Sequence, residues 1–176
     1  MGDFVPGRPA ADEYAPYYEA YVGKVAGEDP VAALAAQLSS TQGLLHGLDE
    51  AGAAHRYAPG KWSVKEVIAH ITDTERVFGF RALWFAREDP SPLPGFDENR
   101  WMPAAEVDLQ PLDLVRAAWH AQREATLALL RGLPRAAWIR RGTANGKVVS
   151  VRAIAFIMAG HETHHLGVLR ERYGVR

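Results

Sequence analysis

There is no cysteine in the 176 residues. That excludes disulfides, thiolate metal ligands and a thiol nucleophile, and it leaves His, Asp and Glu as the strong metal ligands. Neither sign of charge is in excess: 20 basic residues face 21 acidic ones, with a formal net charge of -1 and a pI near 6.7. No general basic field draws such a chain to nucleic acid or to an acidic membrane surface. Long hydrophobic runs are also missing, and none approaches the roughly 20 residues of a membrane span. The opening MGDFVPGRPAADEYAPYY lacks the basic and apolar regions of a signal peptide, so the expected location is cytoplasmic. Lysine is scarce, four against sixteen arginines, and nothing in the sequence assigns that bias a role. Internal repeats, low-complexity tracts and the buried strand runs of an α/β fold are absent.

What remains is helical. Hydrophobic residues at 48 % and charged residues at 23 % suit one globular domain large enough to bury a core. Asp29 and Pro30 form a cap and first-turn pair, and Val31, Leu34, Leu38, Leu45 and Leu48 then recur near helical spacing to about Ala51. Ser63 with Glu66 three residues on is a capping-box signature, opening a helix to about Arg87 with Val64, Val67, Ile71, Phe78 and Phe85 on its apolar face. A third helix spans about Leu112 to Arg131. Ser150 caps a fourth, which runs to about Tyr173 before Gly174. The Pro-rich EDPSPLPGFDENRWMPAAEVDLQP between the second and third helices shows no clear periodicity and reads as a long connection. Asn145-Gly146 is a turn signal for a short hairpin or irregular loop, and EYAPYYEAYVGKV adds a short helical turn. The expected fold is all-α: a four-helix bundle with a long crossover between helices 2 and 3. One domain covers 1–176, with 1–28 an N-terminal extension packing on the bundle.

Three of the seven histidines fall within five residues, in IMAGHETHHLGVLRERY. At about 100° per residue, His161 and His165 lie within about 20° of the middle of the last helix's apolar stripe. Glu162 and His164 lie about 80° away on opposite flanks. Two imidazoles one turn apart in a core need partners for their nitrogens. A shared divalent cation supplies them, and so do backbone carbonyls or a water. His70 sits about 80° from the middle of the second helix's apolar face. Alone it reads as a satisfied edge histidine; beside the pair it is a third ligand facing a groove between helices. His46, His55 and His120 have no histidine at helical spacing and read as surface or boundary residues.

His161, Glu162 and His165 also spell H-E-x-x-H, the metalloprotease spacing. The metzincin extension fails, with Val168 where glycine is needed and Glu171 where histidine is needed. Only eleven residues follow His165, too few for a second ligand-bearing helix, so a peptidase is set aside.

WSVKEVIAHITDTERV, PGFDENRW and GHETHHLGVLRERY, in that order and spacing, resemble the DinB/YfiT-like family of metal-binding four-helix bundles. The resemblance covers nearly the whole chain. It implies a ligand triad of His70, His161 and His165 for one divalent ion. Zinc or nickel is the expected metal, although cobalt, iron and copper also suit three imidazoles. It further implies a transferase that activates a low-molecular-weight thiol, bacillithiol-like, for attack on an electrophile, because such enzymes and mycothiol-dependent isomerases belong to that family. A hydrolase using bound hydroxide and a non-catalytic metal-binding stress-response protein remain as alternatives. The expected partners are a small thiol, an electrophilic substrate and a second copy in a homodimer. Asp73, one turn after His70, and Glu162 are the candidate catalytic or orienting carboxylates. Glu162 reads equally well as a simple i,i+4 helix charge, and Glu75 as a solvated or interhelical one. His164 is an outer-shell or rim group, and Asp97, Glu98 and Asn99 line the pocket mouth. Trp62, Trp84, Trp101 and Trp119 read as packing residues.

Overall fold

The computed structural model describes residues 4–176, so the first three residues of the expected extension lie outside the described residues. Two single 3-10 turns, Ala11–Glu13 and Pro16–Tyr18, lead into a short helix α1 (Glu19–Val22). Then follow α2 (Pro30–His46), α3 (Glu50–Ala54), α4 (Val64–Ala86), α5 (Glu98–Ala105), α6 (Leu112–Arg131), strands β1 (Arg141–Ala144) and β2 (Lys147–Ser150), and α7 (Val151–Tyr173). The four long helices form the expected all-α bundle. Helices α2 and α4 each pack on both α6 and α7, which puts α2 and α4 on a diagonal.

The local signals work as their chemistry requires. Asp29 accepts from the amides of Val31 and Ala32. Ser63 and Glu66 complete a reciprocal capping box, and Ser150 accepts from the Ala153 amide. Gly174 ends α7 at φ +69°, the left-handed conformation a C-cap needs. Asn145 and Gly146 take φ 52° and 69° in the turn of an antiparallel β1–β2 hairpin, the twist that such two-residue turns favour.

Two expectations need correction. The first long helix ends at His46 rather than near Ala51, because Asp49 accepts from the Gly52 amide at 2.7 Å and starts α3 as a separate element. The connection after α4 is not structureless. It holds α5, capped by Asp97 despite Pro103 inside it, and a 3-10 turn at Val107–Leu109. It is also tied to the hairpin by Leu93, which donates to Thr143 O (2.9 Å) and accepts from Asn145 N (3.0 Å).

Two apolar clusters fill the bundle. One contains Phe78, Phe85, Trp138, Ile154, Phe156 and Ile157; the other contains Leu44, Ile68, Ile71, Trp119, Leu166 and Leu169. Along α7 the first ends at Ala159 and the second resumes at Leu166. Along α4 the second ends at Ile71 and the first resumes at Phe78. Where the two clusters meet lies a buried polar layer that includes His70, Glu75, His161 and Glu162.

Candidate metal centre

Helices α4 and α7 bring three imidazoles to one point in that layer. His161 Nε2 lies 3.0 Å from His70 Nε2 and 3.1 Å from His165 Nε2. One ligand atom of each residue falls within 4.8 Å of the others. Nitrogens bound at 2.0–2.1 Å around a tetrahedral ion stand about 3.3 Å apart, so the two distances from His161 are within a few tenths of an ångström of that spacing. His70 and His161 are 8 % and 6 % exposed, and His165 is half-buried.

Burial holds the imidazoles neutral, the form in which they ligate. It pushes His161 well below the usual histidine range, helped by His165, His70 and His164. It pushes His165 down to about 3, helped by His70 and His164. His70 is lowered by burial too, with Glu98 and Asp73 opposing. Aromatic rings surround the cluster. Tyr21 meets His161 edge-on at 5.3 Å and His164 at 5.6 Å, and Trp62 lies 5.0 Å from His70.

Two cavities meet this centre. One, about 220 Å³, has His70 and His161 on its wall with Tyr21, Thr74, Arg81 and Glu98. The other, about 270 Å³, has His165 on its wall with Trp62, Lys61, Asn99 and Tyr57. The donors can therefore be reached from two sides.

The two candidate carboxylates are engaged elsewhere. Glu162 is fully buried, against its reading as a simple helix charge, and does not bond the imidazoles. Its oxygens accept from Thr41 (2.6 Å), Trp119 (3.4 Å) and Arg123. Arg123 also grips Glu75 and donates to Leu34 O, so Glu75 is interhelical and buried, not solvated. The helical map missed this because α7 is buried around its whole circumference from Ala153 to Glu162. Asp73 binds Arg76 at 2.8 Å and lines a separate depression, acting on His70 through its field alone. His164 is half-buried, its ring 5.0 Å from His165 and 5.6 Å from Tyr21. His46 and His55 are exposed and His120 is half-buried.

Of the three connection residues, Glu98 reaches the first cavity and Asn99 the second, while Asp97 caps α5. Trp119 is core, Trp84 donates to Ser91 O, and Trp101 lies against Phe96 at the surface. Trp62 is part of the site. Sequence reasoning missed Tyr21, Thr74 and Arg81. The visible signal for Tyr21 was Gly160, a glycine on the buried side of α7 immediately before His161: a Cβ there would lie 2.0 Å from Tyr21 O.

A family model described as the DinB superfamily matches residues 33–169, which include all three histidines. The chain belongs to the DinB superfamily. A Geobacillus kaustophilus protein named a putative metal-dependent hydrolase is 25% identical over 150 residues, covering 82% of this chain and 84% of its own. The fold is similar to that of Bacillus subtilis YfiT, described as a probable metal-dependent hydrolase with an unusual four-helix bundle topology. There the TM-score is 0.72 at 17% identity, over 84% of this chain and 87% of that one. It is also similar to a mycothiol-dependent maleylpyruvate isomerase, with a TM-score of 0.65 at 17% identity, over 78% of this chain and 58% of that one. In this DinB chain no helix is long and apolar enough to cross a membrane, among the described residues.

Proposed function

We propose that this protein uses one divalent ion, held by the Nε2 atoms of His70, His161 and His165, to activate a small thiol for attack on an electrophile. The observation that carries the reading is the convergence of three neutral imidazoles on a point reached from two cavities. A divalent ion with an open position lowers the pKa of a thiol beside it into the neutral range.

The chain's own residues supply the rest. Burial keeps the imidazoles unprotonated, so the ligands need not release protons first. Tyr21 packs edge-on against the His161 ring and Trp62 against the His70 ring, which limits how those rings can turn. Glu162, tied to Arg123, is not free to act as a base. Glu98, on the wall of the first cavity, is placed to take the thiol proton. A carbon–sulfur bond forms, the bond to the electrophile's leaving group breaks, and the thiol proton leaves through Glu98 or solvent. The absence of cysteine leaves no protein thiolate to compete. A second reading, hydrolysis, is supported by the name of the Geobacillus kaustophilus relative, with Glu98 again as proton acceptor.

Cobalt-loaded protein separates the two. Adding bacillithiol or a simpler thiol should produce an intense charge-transfer band, absent in His70→Ala, and conjugation of an electrophile should require both metal and thiol. If no low-molecular-weight thiol gives a band or a conjugate, the transferase reading fails and the hydrolase reading replaces it.

A further inference from the structure

Arg81 is a buried charge that the metal chemistry does not use. It stands on α4, eleven residues after His70, is 3 % exposed, and lines the cavity that His70 and His161 wall. Its guanidinium donates to Pro94 O at 2.9 Å and lies over the rings of Phe78 (5.0 Å) and Phe96 (5.8 Å). Among the described residues no carboxylate pairs with it. The other buried lysine and arginine side chains each have one: Arg123 has Glu75 and Glu162, and Lys65 has Glu50. Buried charges are ordinarily paired, because removing an ion from water costs several kcal/mol even after relaxation. Stacking on two rings offsets part of that. The Tyr17 and Tyr18 phenols stand near it on the same cavity wall, so its neighbours are a carbonyl, two hydroxyls and two rings, and none is an anion.

A second observation points into the same space. Thr74 Oγ1, one turn after His70 on the same wall, is buried with no hydrogen-bond partner. The cavity's one acid, Glu98, makes no ion pair with Arg81 among the described residues. Along α4 the cavity wall therefore runs from a histidine through a hydroxyl to a cation with no carboxylate partner.

We propose that Arg81 is the receptor for a carboxylate carried by the reactant that occupies this cavity, whose reacting atom lies at the histidines. The planar fork suits a carboxylate, and the ligand supplies the missing counter-charge. Thr74 donates to the ligand's middle. Eleven residues of helix rise about 16 Å, and both side chains lean toward the helix N-terminus. The ligand's two ends are thus on the order of 10–16 Å apart, which selects an extended molecule over a compact one. Only the sulfur end of this inference rests on the metal–thiol reading.

The test is calorimetric titration of the metal-loaded protein with ω-mercaptocarboxylates of three to about ten carbons, each against the ω-mercaptoalcohol of equal length. Acids near the optimal length should bind about 10- to 100-fold tighter than the alcohols, the worth of a charged hydrogen-bonded pair. Arg81→Met should lose that preference at unchanged metal content, and Arg81→Lys should keep part of it. Equal affinity of acid and alcohol at every length in the wild type overturns the proposal, and so does an equal loss of both in Arg81→Met. If no thiol binds the metal-loaded protein, the metal–thiol reading fails separately. Heptanedioate titrated into metal-free protein then tests Arg81 by itself: binding that is lost in Arg81→Met supports the receptor, and binding absent from the wild type or unchanged in the variant overturns it.

Discussion

The backbone carbonyl of Tyr21 occupies the place where a side chain on Gly160 would begin. A Cβ built on Gly160 lies 2.0 Å from Tyr21 O and 2.5 Å from the carbonyl carbon. That approach seats α1 on α7 and sets the Tyr21 ring against His161. In an isolated helix, alanine would be favoured over glycine by about 1 kcal/mol. Here the obstacle is backbone, which cannot move without shifting α1. Gly160→Ala should therefore destabilise by about 1–3 kcal/mol, as overpacked cores do. Urea denaturation measures it, and a change within 0.5 kcal/mol or a gain would show that α1 gives way freely.

Metal binding should require all three imidazoles. One equivalent of zinc, nickel or cobalt is expected by elemental analysis, and His70→Ala, His161→Ala and His165→Ala should each lower affinity strongly. Undiminished one-to-one binding in His161→Ala would rule out the triad, because its Nε2 is the atom the other two approach.

Chelation should lower Tm. An ion that binds only the folded chain stabilises it by mass action, about 2.7 kcal/mol at a free concentration a hundred times Kd. Equal Tm with and without chelator, on protein shown to have lost its metal, would mean that the site and the fold are not coupled.

Arg123 bridges three helices, holding Glu75 of α4 and Glu162 of α7 and donating to Leu34 O of α2 at 3.0 Å. Arg123→Met should cost about 3–5 kcal/mol, because it leaves two carboxylates buried without a cation. Glu162→Gln keeps the Glu75 pair and should cost less. A loss below 1 kcal/mol in Arg123→Met would mean that water reaches this layer.

Acid should loosen the N-terminal segment first. Glu13 is buried, which works against its charge. The Arg152 guanidinium, the Ser150 hydroxyl and the Ala10 amide outweigh that and hold it down from 4.5 to about 2. A depressed carboxylate contributes stability above its unfolded pKa and loses it as pH falls through the folded one. The window is therefore pH 4.5 down to about 2. Glu13→Gln should flatten that limb of the stability–pH curve. An unaltered acid limb would place the linkage elsewhere.

The sequence by itself determined the elements whose signals are local. Ser63 with Glu66, Asp29 with Pro30, Ser150 and Asn145-Gly146 fix backbone groups a few residues away, so α4, the start of α2, α7 and the hairpin were legible. The stripe-centred pair His161 and His165 was legible for the same reason, since i and i+4 on one helix are neighbours in any fold. His70 came within reach only beside that pair. The tertiary structure alone decided which side chains meet across helices. Glu162 and Glu75 look like surface charges on a helical wheel, but Arg123 of α6 and the cover of α2 bury both. The spacing of His70, Thr74 and Arg81 puts them on one face of α4, but only the way α4, α7, the N-terminal segment and the crossover close around that face makes it the wall of a cavity. A periodicity tells which residues share a face; only packing tells what that face meets.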